Sequence, residues 1–452
     1  MNRLRHLRIV VFIAGSFITA ACTTPQANPP SPLPATPAMS PAQPHPAVVA
    51  SDAHRNSLSA YLPTVLGAVR VVAVGDVMMH ADVVQSSQNQ ANGFEDLWSG
   101  VSPLFKDADI VFGNLETPVA PDTGRKARPF MFNAPATLPA ALKASGWTVL
   151  STANNHAFDQ GTKGVKETVD RLHAAQLVTI GTGATESDAE QTQFIDRNGV
   201  KVAFIGFTDI FNIDLDNKAT GPWVRRLDLD SALAAVKSAR AHADAVIVSI
   251  HWGDEYHHQP NTRQRHIAEA LIRGGADVVL GHHPHVLQPA EVISATDGEG
   301  NKHLGLVIYS LGNFISNQDR QYRADLFPVA AGDDRDGAAL QFSLEKVRQP
   351  DGRETVILGN ISYEPLWVEN NWYQSHADKN VKRDIHVVRI REAIDNTWTA
   401  LDQLTDSTQG PELIPDEKAR QAAIVEKEEY LRTLLLRKAR IAAIVGSEFE
   451  AR

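Results

Sequence analysis

Short apolar runs recur along the middle of the chain, and each is cut off by glycine, a polar residue or both. Val69–Val74, Ile110–Phe112, Thr148–Thr152, Val202–Ile205, Ala245–Ile250, Val278–Leu280 and Leu306–Tyr309 read as buried strands. Between several of them the period lengthens to that of a helix, over Ala136–Ser145, Thr162–Ala175, Ser231–Ala241 and Thr262–Arg273. Strands alternating with helices predict an α/β fold with a largely parallel sheet. Three later strands, near Ala339–Leu344, Val356–Tyr363 and Ile385–Ile390, follow one another without helices and predict antiparallel additions or a second sheet. Beyond Arg391 a charged stretch from Pro415 to Ile444 carries Leu431, Leu434, Leu435 and Ile441 and predicts a C-terminal helix, with Pro415 at its start and Gly446 at its end.

The N-terminus follows other rules. Arg3, Arg5 and Arg8 precede the apolar segment Ile9–Ile18, and small residues then lead to Cys22. This is the layout of an export signal, with an apolar core too short to span a bilayer. It resembles a lipoprotein signal, in which the cysteine is lipidated and anchors the mature chain, although Thr19 stands where leucine is usual. Residues 23–67 are mostly rich in proline, alanine, serine and threonine and read as a disordered spacer. The expected organisation is therefore a signal over 1–22, a linker over 23–67, a folded domain over 68–395 and a helical extension over 396–452.

Composition narrows the chemistry. A net charge of −10 over 452 residues argues against a general nucleic-acid binder. An anionic substrate would instead have to meet a local positive centre such as bound metal. Seventeen histidines against a single cysteine mean that such a centre is built from nitrogen and oxygen donors, and intrachain disulfides are excluded.

Those donors sit at strand ends. Asp76, Glu116, Asn155 with His156, His251, His283 with His285, and Asn313 each follow an apolar run. One such residue is most often a turn former or helix cap. Eight of them at the carboxyl ends of six strands, where α/β sheets bind their ligands, point to one shared crevice. In Gly281-His-His-Pro-His285, Pro284 biases His283 toward extended backbone, which would aim His283 and His285 to one side. Carboxylates, histidines and an amide oxygen together suit two adjacent divalent cations. His156, three residues before Asp159, suits a general acid held by a carboxylate. An ordinary carboxylate at the start of a helix accounts for Asp159 equally well. Glu255 and Tyr256 after His251, and the basic loop of Arg125, Lys126 and Arg128, are candidates for substrate contact.

Six segments in order carry a resemblance: Gly75-Asp-Val-Met-Met-His80, Gly113-Asn-Leu-Glu-Thr117, Ala153-Asn-Asn-His-Ala-Phe-Asp159, His251-Trp-Gly-Asp-Glu-Tyr256, Gly281-His-His-Pro-His-Val286 and Tyr309-Ser-Leu-Gly-Asn-Phe314. The series resembles the CapA family of poly-γ-glutamate capsule synthesis proteins, relatives of the calcineurin-like metallophosphoesterases. It implies a four-layer αββα sandwich with metal ligands Asp76, Glu116, Asn155, His251, His283 and His285. It further implies two divalent ions (manganese, iron or zinc), with catalytic roles for His156 and Asp159. Substrate contacts would fall to Glu255, Tyr256, Arg128 and Asn313. Met78 stands where the phosphoesterases carry a histidine, with His80 as a possible substitute, and Glu116 replaces a bridging aspartate. The implied function is that of a lipid-anchored protein of the bacterial cell envelope that uses a divalent-metal site in the synthesis, release or hydrolysis of an anionic polymer such as poly-γ-glutamate, alongside capsule synthase subunits. A phosphoesterase of envelope or nutrient compounds and a non-catalytic accessory subunit are the alternatives.

Overall fold

The computed structural model describes residues 62–213, 223–296 and 302–451. The signal over 1–22, its Cys22 and the linker as far as residue 61 lie outside the described residues. The strands are β1 Thr64–Val77, β2 Ile110–Leu115, β3 Val149–Ser151, β4 Val178–Ile180, β5 Gln193–Arg197, β6 Val200–Thr208 and β7 Ala245–His251. They continue with β8 Val278–His282, β9 Ala290–Thr296, β10 Lys302–Ile308, β11 Asn313–Ile315, β12 Asp336–Arg348, β13 Glu354–Asn370 and β14 Ile385–Arg389. The first strand thus begins at Thr64, inside the stretch expected to be linker.

Two sheets result. One runs in the order β14-β13-β12-β1-β2-β3-β4, with β11 beside β1; the other runs β5-β6-β7-β8-β10-β9. Strands β1 to β4 pair in parallel, and β12, β13 and β14 add antiparallel, as the missing helices predicted. In the second sheet β6, β7, β8 and β10 are parallel, and β5 and β9 close its edges antiparallel.

Residues from both sheets, among them Val71, Phe112, Phe204, Ile247 and Ile308, form one buried cluster between them. Helix α1, Leu138–Ala144, covers the outer face of the first sheet through Leu138 and Leu142. Helices α2, Leu229–Arg240, and α3, Thr262–Arg273, cover the second through Val236, Ile267 and Leu271. The layers are therefore α, β, β, α. Both faces of each central strand are buried, which is why the sequence shows continuous apolar runs and not alternation. Helix α3 starts where predicted because Asn261 accepts from the Gln264 amide while Gln264 reaches back to the Asn261 amide.

Helices α4, Ile390–Thr405, and α5, Glu417–Val445, join the inter-sheet cluster through Ile390, Leu401, Leu431, Leu434 and Ile441. The cap of α5 is Asp416, one residue after the proline expected to start it, and Gly446 ends it at φ 116°. Arg437 of α5 is fully buried and bonds Asp333 and Asp336, the second of which opens β12. Among the described residues no helix is long and apolar enough to cross a membrane.

Candidate metal centre

Parallel register brings the strand ends of both sheets to one edge. Asp76 of β1 lies opposite Asn313 of β11 on one side and Asn114 of β2 on the other. His251 closes β7 opposite His282 of β8. Glu116 directly follows β2, and the Asn155–His156 pair follows β3. Residues from two sheets thus meet in a fully buried cluster.

Within it, ligand-type atoms of Asp76, Glu116 and His251 lie within 4.8 Å of one another, as do those of Glu116, His283 and His285. Glu116 belongs to both groups, the position of a bridging ligand. His251 Nε2 and His285 Nε2 stand 3.7 and 3.8 Å from Glu116 Oε1. Asn155 Oδ1 is 3.0 Å from His251 Nε2, so all six residues expected as ligands converge. Their supports converge as well. Asn114 donates to Asp76 Oδ1 at 2.7 Å, and Asn313 Oδ1 holds His285 Nδ1 at 3.2 Å.

One expectation about the ligand loop is corrected. His283 and His285 do not lie on extended backbone: their φ angles are 98° and 60°. A Cβ on Gly281 would sit 1.9 Å from the Tyr309 carbonyl oxygen, so the end of β8 lies hard against the segment that follows β10. The two imidazoles still converge, with ring centroids 5.9 Å apart, but through a left-handed turn. His80, the possible replacement for a histidine at position 78, belongs to neither group. It packs edge-on against Phe132 and accepts from the Asn317 amide.

The electrostatics show what the cluster lacks. Burial lifts the Glu116 carboxyl well above the usual carboxylate range, and neither of its oxygens has a hydrogen-bond partner. Burial works the same way on Asp76, but the His282 imidazole 3.4 Å away and the hydrogen-bonded His285 outweigh it and hold that carboxyl low. Burial pulls His285 down, yet the Glu116 and Asp76 carboxylates push it up to about 10. Burial, with the charge of His285, takes His283 down to about 4, and burial lowers His251. The cluster therefore favours positive charge at its centre, while burial disfavours it on the His251 and His283 imidazoles. Orphaned Glu116 oxygens and the orphaned His283 Nδ1 are what a divalent cation would satisfy, and the donor set fits one.

His156 and Asp159 lie beside the cluster. His156 Nδ1 is 2.8 Å from Asp159 Oδ2, and Asn212 Nδ2 is 3.3 Å from His156 Nε2. The side-chain nitrogen of Asn212 can only donate, which assigns the Nδ1 proton of neutral His156 to the Asp159 bond. Asp159 does not cap the helix that follows; it accepts from the Phe132 amide at 2.6 Å. Of the expected substrate residues, Tyr256 is half exposed with its ring 6.2 Å from His285. Glu255 is exposed beside it, and Asn313 is a buried support. Arg128 stands apart, its guanidinium against the Met131 sulfur.

Sequence reasoning missed Asn114, His282 and Asn212 as site residues. Asn114 was within reach, since residues 114 and 116 of one strand share a face. Asn212 lies in a loop after β6 where no local pattern marks it.

Residues 70–318 match the model of the family described as bacterial capsule synthesis protein PGA_cap. The chain belongs to this family. The matched stretch contains every site residue from Asp76 to Asn313. The PGA biosynthesis protein CapA of Bacillus subtilis (strain 168) is 35% identical over 276 residues, 60% of this chain and 67% of that protein. The capsule biosynthesis protein CapA of Bacillus anthracis is 35% identical over 253 residues, 54% of this chain and 59% of that one. A probable polyglutamine synthesis accessory protein of Mycobacterium tuberculosis is 27% identical over 198 residues, 41% of this chain and 52% of that protein. Among solved structures, a hypothetical protein from Thermus thermophilus aligns at TM-score 0.36 and 16% identity, over 66% of this chain and 99% of that one. Purple acid phosphatase PPD1 from yellow lupin seeds aligns at TM-score 0.32 and 11% identity, over 64% of this chain and 53% of that one. Likenesses at these scores decide nothing about the site.

Proposed function

We propose that this family member takes part in poly-γ-glutamate capsule synthesis as a metal-dependent hydrolase, held at the cell envelope through a lipid on Cys22. The observation that carries the reading is Glu116, fully buried, without a hydrogen-bond partner and common to both groups of ligand-type atoms. Two divalent cations, manganese, iron or zinc, would be held by Asp76, Glu116, Asn155, His251, His283 and His285. Such a pair supplies Lewis acidity and activates water at neutral pH. The chain's own contribution is proton handling and orientation. Asp159 fixes the His156 ring, so that in its protonated form Nε2 delivers a proton to the leaving nitrogen of a cleaved amide. Asn212 meets that same Nε2 in the resting state. Tyr256 and Glu255 flank the opening, where a chain carrying carboxylates would be positioned. Capsule synthase subunits are the partners this role implies.

The test uses protein lacking the export signal, reconstituted with each metal and assayed on poly-γ-glutamate beside His156→Ala. Cleavage by the parent protein, with loss of turnover at unchanged metal content in the variant, is the expected result. Absence of turnover with every metal would refute the hydrolytic role.

A further inference from the structure

A cleft of about 690 Å³ lies beside the metal cluster and shares no ligand with it. Its two ends nevertheless touch the site. On one side Phe132 lines it, with its ring 4.4 Å from His156. On the other, Gln318 accepts from Asn313, the support of His285, and donates to the Tyr256 hydroxyl at 3.3 Å.

The charges in the cleft are unevenly satisfied. Asp82 is paired with Arg383, and Asp319 accepts from the Asp334 amide. Among the described residues Arg128 meets only the Met131 sulfur, and Arg320 makes no hydrogen bond or ion pair. Two exposed guanidinium groups therefore line the cleft with no described carboxylate paired to them. Phe130 adds a second, independent sign. It holds φ 61° in a turn closed by backbone bonds between Arg128 and Met131, and it is 86% exposed. A bulky residue in the left-handed region costs free energy, and an aromatic ring in water gains none back. Neither feature serves the fold.

We infer that this cleft binds the polymer itself: an amide-linked chain of carboxylates separated by short methylene spacers. Arg128 and Arg320 pair with successive carboxylates, Phe130 and Phe132 cover the methylenes, and the chain's amide is led past Phe132 to His156. The inference rests on the polymer reading above. It also gives Asp159 a second task, because the carboxylate that orients His156 also holds the Phe132 amide. Occupancy of the cleft and placement of the acid are thereby mechanically joined.

The experiment is calorimetric titration of metal-loaded protein with a short γ-linked glutamate oligomer, its amidated counterpart, and dextran sulfate. The acid oligomer binds and the amidated one does not. Removing two charge-assisted contacts with Arg128→Gln and Arg320→Gln together weakens binding about tenfold or more. Phe130→Gly also weakens binding, while its denaturation midpoint holds or rises because glycine accepts that backbone without strain. Unchanged affinity in the double variant at native metal content, equal binding of the amidated oligomer, or equal binding of dextran sulfate would each overturn the inference. If the oligomer binds with these dependences but is never cleaved, the hydrolytic role fails and the cleft assignment stands.

Discussion

Replacing Glu116 with glutamine should move stability in opposite directions with and without metal. In metal-free protein the Glu116 carboxylate is wholly buried, both oxygens lack partners, and Asp76 repels it. A buried polar group without its bonds costs about 1–3 kcal/mol, more when it is charged. Glutamine keeps the shape and carries no ionisable group for burial to penalise. The metal-free variant should therefore be more stable than the parent by about 1 kcal/mol. With metal the order reverses. At a thousandfold excess over its dissociation constant a metal stabilises the folded state by about 4 kcal/mol. Glu116 is the only residue common to both ligand groups, so its loss should weaken binding by about a hundredfold or more, and nearly 3 kcal/mol of that gain disappears.

Urea unfolding of parent and Glu116→Gln, each in chelator and in excess manganese or zinc, measures all four states. The expected signature is a crossing: the variant unfolds later in chelator and earlier in metal. If the variant is less stable in chelator by more than about 1 kcal/mol, Glu116 has an intrachain role that its unpartnered oxygens do not reveal. If the metal-induced shift is the same in both proteins, Glu116 is not a shared ligand and the reading of the centre falls.

Two further outcomes concern the clamp behind the site. Arg437→Leu leaves Asp336 buried without its partner and takes one of three partners from Asp333, and should cost about 3–5 kcal/mol in denaturant unfolding; a loss below about 1 kcal/mol would contradict the pairing. Burial pushes the His258 imidazole down, but the Asp333 carboxylate and the Leu287 carbonyl outweigh it and its pKa lies above the ordinary value. A raised folded-state pKa means that this stability is complete below about pH 6.5 and is lost as pH rises through the folded value, so His258→Gln should flatten the fall in melting temperature on that side; an identical pH profile in the variant would refute it.

Much of this architecture was legible because the strands are buried on both faces. A run such as Ala245–Ile250 stays almost wholly apolar and stops at polar His251, so strand, boundary and candidate ligand are read together. The edge strands β5 and β9 escaped notice for the converse reason. Gln193–Arg197 and Ala290–Thr296 alternate weakly and carry charge, as exposed edges must. The ligand residues could be named because each is chemically conspicuous at a strand end. The residues that hold them are amides, such as Asn114 and Asn212, whose side chains serve turns and caps everywhere else in proteins. Their roles exist only in register, through Asn114 lying opposite Asp76 across two parallel strands. Arg437 was hidden in the same way. Within a charged helix nothing in the sequence distinguishes the arginine that enters the core from those that remain in water.

The backbone around the ligands carries its own argument for what they do. His283 at φ 98°, His285 at φ 60° and Tyr256 at φ 63° all occupy the region that glycine enters freely and other residues enter at a cost. Such positions cost about 1–3 kcal/mol each and persist only where the surroundings over-determine them. Here they are tied together, since the Tyr256 amide donates to the Pro284 carbonyl between the two histidines. Glycine or asparagine at 283 and 285 would relieve the strain and also remove two imidazoles from a buried site. Stability alone would therefore favour losing them. The same cluster keeps the Glu116 carboxyl buried without a hydrogen-bond partner, a second cost at the same point. Two independent penalties meeting within one cluster are explained by a single ligand that both would serve. A divalent cation held by Glu116, His283 and His285 would offset the desolvation of the carboxylate and would give the strained turn a purpose.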